Sequence, residues 1–321
     1  MTVERPDAVS FGETMAVFLA TGGLPVRAAN DFRLIAAGSE SNVMAGLAML
    51  GHSTRFAARV GDDALGQVVL QRIRGAGVAV RAVIDDRAPT GMLVRDYPPL
   101  VRVDVSYARE ESAASRICWD DIRPLLDPVP RLLFLSGITP MLSAAAAEAC
   151  GTALAHARDA GVRVVFDPNL RPKLMPLEEA APRLRPFLTQ ADVVIGGADE
   201  LTALTGSPDH RDAAKRLLAD GAAIVVAKLG PDGVYGVDHH DECGLESLAH
   251  SVVDPVGAGD AFAAGFLSGL LRDRSLPDAL LEASAVAACV VSTPGDMEGL
   301  PTSAERDALI AGRHRAREGV N

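Results

Sequence analysis

Asp254-Pro255-Val256-Gly257-Ala258-Gly259-Asp260-Ala261-Phe262 places two glycines and an acid where an apolar helix begins. Gly257 and Gly259 flank Ala258 and leave the backbone free to turn successive N–H groups toward one point, which makes an anion-binding nest. Downstream, Phe262, Phe266 and Leu270 recur every four residues, with Leu267 and Leu271 beside them, so a buried helix is predicted to begin near Asp260. Its positive N-terminal end adds to the nest. An acid at that point repels the phosphates that the loop invites. It makes sense as a base that takes a proton from an attacking hydroxyl, while the amides stabilise charge on a moving phosphoryl group. The plainer alternative is a glycine turn followed by a helix that Asp260 caps.

Around this loop the chain alternates short β-branched runs with alanine- and leucine-rich segments, as βαβ units do. Strands are predicted at Leu132–Leu135, Val162–Phe166, Val193–Ile195 and Ile224–Ala227, and helices at Ala144–Ala160 and Ala213–Asp220. The expected fold class is α/β, a mostly parallel sheet covered on both faces. Residues 14–37 and 90–109 break the rhythm with strand-like pieces and no long helix. Val101, Val103, Val105 and Tyr107 alternate with Arg102, Asp104 and Ser106, so a small separate sheet is expected there.

The 321 residues fit one large domain of this class with an insertion, and the composition, 48% hydrophobic and 23% charged, is that of a globular enzyme. The net charge of −11 argues against nucleic acid or an anionic membrane as partner, since both require a basic face. Cys118, Cys150, Cys243 and Cys289 are scattered without metal-ligand spacing. Met1–Ser10 lacks the basic and apolar regions of a signal peptide, and no apolar run reaches the roughly 20 residues of a membrane span, so a cytoplasmic enzyme is expected.

The nine-residue loop resembles the signature of the ribokinase-like (PfkB) carbohydrate kinases, and the resemblance covers about residues 8–312. It implies a three-layer αβα sandwich with a small β-sheet lid, the whole chain 1–321 forming one kinase domain. In that family the aspartate matching Asp260 is the catalytic base, and the backbone of Gly257, Ala258 and Gly259 forms the anion hole. Gly38-Ser39-Glu40-Ser41-Asn42 precedes the apolar stretch Val43–Leu50 and by itself reads as a helix cap. The resemblance makes it the first sugar-binding signature, with Gly38, Ser39 and Asn42 as candidates.

Tyr107 to Arg109, Ser136–Pro140, Asp167–Arg171 and Gly295–Gly299 resemble the 2-keto-3-deoxygluconate kinase subgroup, in which residues matching Gly38, Tyr107, Arg109 and Arg171 touch the sugar acid. The chemistry agrees, because a carboxylate favours the fork geometry of arginine. From the residues alone, Arg109 beside Glu110 and Glu111 also fits a solvated ion pair. Arg171 follows a predicted strand, at the end where open α/β sheets bind ligands. Met92 stands where some members carry a tyrosine, which puts a substrate hydrogen bond and the epimer preference in doubt.

For the nucleotide, Lys228-Leu229-Gly230-Pro231-Asp232-Gly233 reads as a hairpin turn into Val234–Val237. The resemblance adds that Lys228, Gly230 and Gly233 lie near ATP, together with Asn169, Gly257 and Gly259, and that Ser284 borders the adenine on a small-residue helix at Ala283–Cys289. Glu200 occupies the acid of a half-present Asn-x-x-Glu motif, Gly197 replacing the asparagine, and is the candidate for outer-shell binding of Mg2+. The implied cofactors are ATP and Mg2+, with a monovalent cation as a further candidate. The implied partners are a sugar acid and a second copy docked through the lid. Kinases for the galactonate epimer, fructose or ribose, and a sugar-acid sensor without turnover, are the rival readings. A dinucleotide-dependent dehydrogenase fits less well, because Gly12-Glu13 is not followed by the required glycine fingerprint.

Overall fold

The structure, a computed structural model, describes residues 5–96 and 105–318. Its central sheet has nine strands, in spatial order Glu242–Leu245, Val234–Asp238, Ile224–Lys228, Val193–Gly197, Arg163–Asp167, Leu132–Ser136, Ala8–Gly12, Thr54–Gly61 and Ala79–Asp85. The pairings are parallel from Ile224–Lys228 to Ala79–Asp85, and only the two pairings at the other edge are antiparallel, so Val234–Asp238 alone runs against the rest. All four predicted strands and both predicted helices are present, the second helix starting earlier, at His210, where Asp209 accepts the first-turn amides of Arg211 and Asp212.

Strand alternation builds two cores. Leu132 and Phe134 pack on one face with helices Ser39–Met49, Ala258–Leu271 and Leu276–Val291, whereas Leu133 and Leu135 pack on the other with Ala144–Asp159 and Leu177–Gln190. Helix Ala258–Leu271 is buried from Ala261 to Leu271, which explains why its apolar residues exceed one stripe. Among the described residues no helix is long and apolar enough to cross a membrane, and the four cysteines are free.

The predicted second sheet has four strands, in the order Phe32–Ala37, Met15–Ala20, Met92–Arg95 and Val105–Ala108. Val101 to Asp104 of the predicted strand lie outside the described residues. One face of this sheet presents Ala16, Ala36 and Met92 to the main core, and the other carries Met15, Val17, Ala37 and Leu93.

Where the first strand ends, a Cβ on Gly12 would lie 2.5 Å from Glu40 Cδ, a carboxyl with no exposed surface. Burial raises the pKa of Glu40 from 4.5 to about 8, so the fold holds it protonated, with Thr139 Oγ1 donating to Oε1. A raised carboxyl costs stability as pH climbs from the ordinary range to the folded value. Glu40→Gln removes that titration. The difference in melting temperature between the variant and the wild type should therefore move in the variant's favour between pH 5 and pH 8; a pH-independent difference would show that Glu40 ionises normally.

Candidate active site

Two helix N-termini meet at the C-terminal ends of the parallel strands. Helices Ser39–Met49 and Ala258–Leu271 approach so closely that a Cβ on Gly46 would lie 2.5 Å from Ala264 Cβ. Their first turns consequently face each other. Ser39 Oγ donates to Asp260 Oδ1 and Asn42 Nδ2 donates to Oδ2, both at 2.8 Å, and Asn169 Nδ2 donates to Ser39 Oγ at 2.7 Å. Each carboxylate oxygen retains a lone pair for a further proton.

Burial raises the Asp260 pKa above its ordinary value, while the bonds from Asn42 and Ser39 work the other way. A carboxylate that serves as a base acts only when ionised, so if Asp260 has that role activity should fall as pH drops through its raised pKa. Removing the Asn42 bond with Asn42→Ala should shift the acid limb of kcat/KM to still higher pH. An unmoved limb would mean that another group sets it.

Gly257 caps the second helix at φ +83°, in the left-handed region, and a Cβ there would lie 2.7 Å from Asp296 O and 2.9 Å from its Cα. The first-turn amides that follow have no preceding helical carbonyl to bond, apart from a long turn contact from Ala258 N to Pro255 O at 3.4 Å. They are donors for an anion at the helix's positive end. Asp254 pins the approach to this loop, since Oδ1 accepts from Val256 N and Oδ2 from Gly295 N, each at 3.2 Å.

On the lid side Asp260 borders a cavity of about 130 Å3 that also reaches Gly38, Ser39, Asn42, Tyr107, Arg109 and Arg171. Seven residues separated widely in sequence thus share one wall. The lid strand ends at Ala108, one residue before Arg109, yet the Arg109 guanidinium lies 5.5 Å from the Tyr107 ring centre and forms an ion pair with buried Glu13. Ser112 Oγ donates to the other Glu13 oxygen at 2.6 Å. Arg109 is therefore no surface charge; its side chain is 10% exposed, while Glu110 and Glu111 are the solvated pair. Arg171 is exposed at the cavity rim.

Strand alternation sets which residues of Met92–Arg95 face the cavity. Met92 packs toward the main core, and it is Leu93 and Arg95 that line the cavity. Arg95, Glu13 and Asp296 are cavity residues that sequence reasoning missed. The usable signal was the two-residue spacing of Leu93 and Arg95 on a predicted lid strand.

On the other side of the loop lies an apolar cleft of about 410 Å3, bordered by Gly230, Gly233, Ala258, Phe262, Ser284 and Ala287. The small-residue helix divides its duties. Ala283 and Ala285 are fully buried, a Cβ on Gly265 lying 2.7 Å from Ala283 Cα, whereas Ser284, Ala287 and Ala288 face the cleft.

Lys228 and Asn169 do not line this cleft. Lys228 Nζ pairs with Asp167 Oδ2 at 2.6 Å, beneath the first turn of the second helix and 3.4 Å from where a Gly259 Cβ would sit. Burial works against its charge, but Asp167 and Glu200 outweigh burial and raise its pKa. Asn169 belongs to the hydrogen-bond chain behind Asp260, its backbone at φ +42°. Glu200 is the N3 partner of its own helix: Oε2 accepts Gly197 N at 2.7 Å and Oε1 accepts Leu170 N at 2.8 Å. Burial and the neighbouring Asp167 raise its pKa. Both oxygens keep lone pairs, and two close carboxylates favour a cation between or beside them, so an outer-shell place for Mg2+ fits this corner. Among the described residues no group of three acidic, histidine or cysteine side chains forms a direct metal site.

Beyond the site, the chain as a whole is similar to known proteins. Residues 5–303 match the pfkB family of carbohydrate kinases. The chain is 38% identical over 302 residues to a 2-dehydro-3-deoxygluconokinase of Bacillus subtilis, covering 92% of this chain and 93% of that one. It is 34% identical over 307 residues to a 2-dehydro-3-deoxygluconokinase of Thermoproteus tenax, covering 94% and 93% respectively. The crystal structure of a PfkB protein from Polaromonas sp. JS666 superposes with a TM-score of 0.84 at 33% identity, over 94% of this chain and 99% of that one. The fold is thus ribokinase-like, and the chain belongs to the pfkB family of carbohydrate kinases: it is a sugar kinase.

Proposed function

We propose that this kinase transfers the γ-phosphoryl group of ATP to the C6 hydroxyl of 2-keto-3-deoxygluconate, giving 2-keto-3-deoxy-6-phosphogluconate. The observation that carries the reading is Asp260, held by Ser39 and Asn42 at the junction of the polar cavity and the apolar cleft. Asp260 accepts the hydroxyl proton as the oxygen forms its bond to phosphorus and the bond to the β-phosphate oxygen breaks, releasing ADP. The Gly257–Gly259 backbone stabilises the charge on the transferred group. Ser284 and the alanines beside it suit a flat base, and Gly230 and Gly233 let backbone approach the nucleotide. ATP-bound Mg2+ supplies charge neutralisation, with Glu200 and Asp167 placed to hold its waters. The lid excludes water that would otherwise hydrolyse ATP.

The acid end of the substrate is assigned to Arg109, Arg171 and Tyr107. Arg109→Ala should raise the KM for the sugar acid by about 10- to 100-fold, the range for a charge-assisted contact, and leave the KM for ATP nearly unchanged. Equal rises for both ligands would remove Arg109 from the acid site. The acceptor itself is tested by ADP release across 2-keto-3-deoxygluconate, its galactonate epimer, fructose and ribose. The highest kcat/KM is expected for the gluconate acid, and preference for a neutral sugar would overturn the assignment.

A further inference from the structure

Arg95 is the largest fully buried side chain among the described residues, and it sits in the wall of the sugar cavity with 2% exposure. One of its nitrogens is spoken for: Nη2 donates to Asp254 Oδ2 at 2.8 Å and to Asp296 Oδ1 at 3.3 Å. The other two, Nε and Nη1, are buried with no hydrogen-bond partner among the described residues. Unsatisfied buried donors are uncommon, because each forfeits its bonds to water and receives nothing in return. Two on one guanidinium, in a cavity wall, are a pair of donors prepared for an acceptor that enters the cavity.

We propose that Arg95 is a specificity-determining residue whose Nε and Nη1 donate to the chain hydroxyls of the sugar acid, at C4 and C5. This rests on the sugar-acid reading above and extends it. Position and charge both select the hydroxyls over the carboxylate. Asp296 backbone abuts Gly257, so Arg95 lies toward the phosphoryl-transfer end, beside the carbons next to the reacting C6. Asp254 and Asp296 already offset its charge, so it offers oriented N–H groups to a neutral oxygen; the carboxylate finds Arg109 and exposed Arg171 instead. The gluconate and galactonate acids differ in configuration at C4, and a fixed pair of donors reads that difference through the direction of one hydroxyl. Because Asp254 also bonds Val256 N and Gly295 N, the guanidinium is held in place by the same loop that turns into the anion nest.

The test uses the intact protein and two variants, R95K and R95M, with kcat and KM measured for the preferred acceptor, for its C4 epimer and for ATP. Lysine keeps a cation for Asp254 and Asp296, so R95K remains folded even if R95M does not. The expected result for R95K is a rise of about 10- to 100-fold in acceptor KM, an ATP KM within about threefold of wild type, and a loss of preference between the epimers. Titration of the acceptor into the ATP-free protein should show the same loss of affinity. An R95K enzyme that keeps the wild-type epimer ratio and acceptor KM overturns the proposal, as does one whose acceptor and ATP constants worsen together, which would make Arg95 a structural tie. The wild-type panel separates this from the reading beneath it. If the preferred acceptor proves to be a different sugar, the sugar-acid assignment falls while the Arg95 experiment still reads out on that sugar and its epimer; a wild type that phosphorylates no acceptor removes both.

Discussion

Asp260→Asn is expected to lower kcat by about 10²- to 10⁴-fold, the contribution of a positioned general base. The substitution is nearly isosteric, and Ser39 Oγ and Asn42 Nδ2 still surround the group, so folding should be preserved. What changes is proton affinity: an amide cannot take the proton that the attacking hydroxyl must lose. The sugar-acid KM should move little, as for any group that acts chiefly in the transition state. Single-turnover kinetics separate the chemical step from product release, and turnover within about threefold of wild type would remove Asp260 from the role of base. Burial holds its pKa above the ordinary value. The remaining activity of the variant should consequently lack the acid limb expected of the wild type.

Gly257→Ala should be almost as damaging for a different reason. The residue sits at φ +83°, where a Cβ is strained by about 1–3 kcal/mol, and that Cβ would also meet the Asp296 backbone at 2.7–2.9 Å. Backbone cannot swing aside as a side chain can, so the loop must move and its amides lose their aim. A fall in kcat of about 10²- to 10³-fold is expected, as for loss of an oxyanion donor, together with a lower melting temperature. Gly259→Ala provides the control, because a Cβ there meets only Lys228 Nζ at 3.4 Å, an ordinary contact. Rate losses of the same size in both variants would mean that glycine composition, and not the shape at Gly257, makes the nest.

The two glycines show how far the sequence reading reaches. Gly-Ala-Gly before an apolar helix was legible as a turn into a helix start, but nothing in the string distinguishes the glycine pressed against the Asp296 backbone from the one facing the end of the Lys228 side chain. Lid residues show the same limit. The two-residue period revealed a strand near Tyr107, whereas the side that each residue of Met92–Arg95 faces depends on register with Met15–Ala20, where Ala16 opposes Met92 and Leu19 opposes Arg95. For Lys228 and Asn169, the closest polar partners, Asp167 and Ser39, come from other elements, and no local pattern records those pairings. Glu200 was read as an acid at a helix start, and it is one; its second bond, to Leu170 N, crosses 30 positions and could not be anticipated.

Local patterns therefore determined the alternating α/β architecture, the separate small sheet and the helix start after Gly257. Those features follow from side-chain periodicity and turn chemistry, which act over a few residues. The tertiary structure alone decided who holds Asp260, which face of the lid looks into the cavity, and that Arg95 lies buried between Asp254 and Asp296. Ser39 and Asp260 are 221 positions apart, and Arg95 and Asp254 are 159 apart. Pairings across such separations are set by the packing of whole helices and strands, and no local signal records which two termini that packing will bring together.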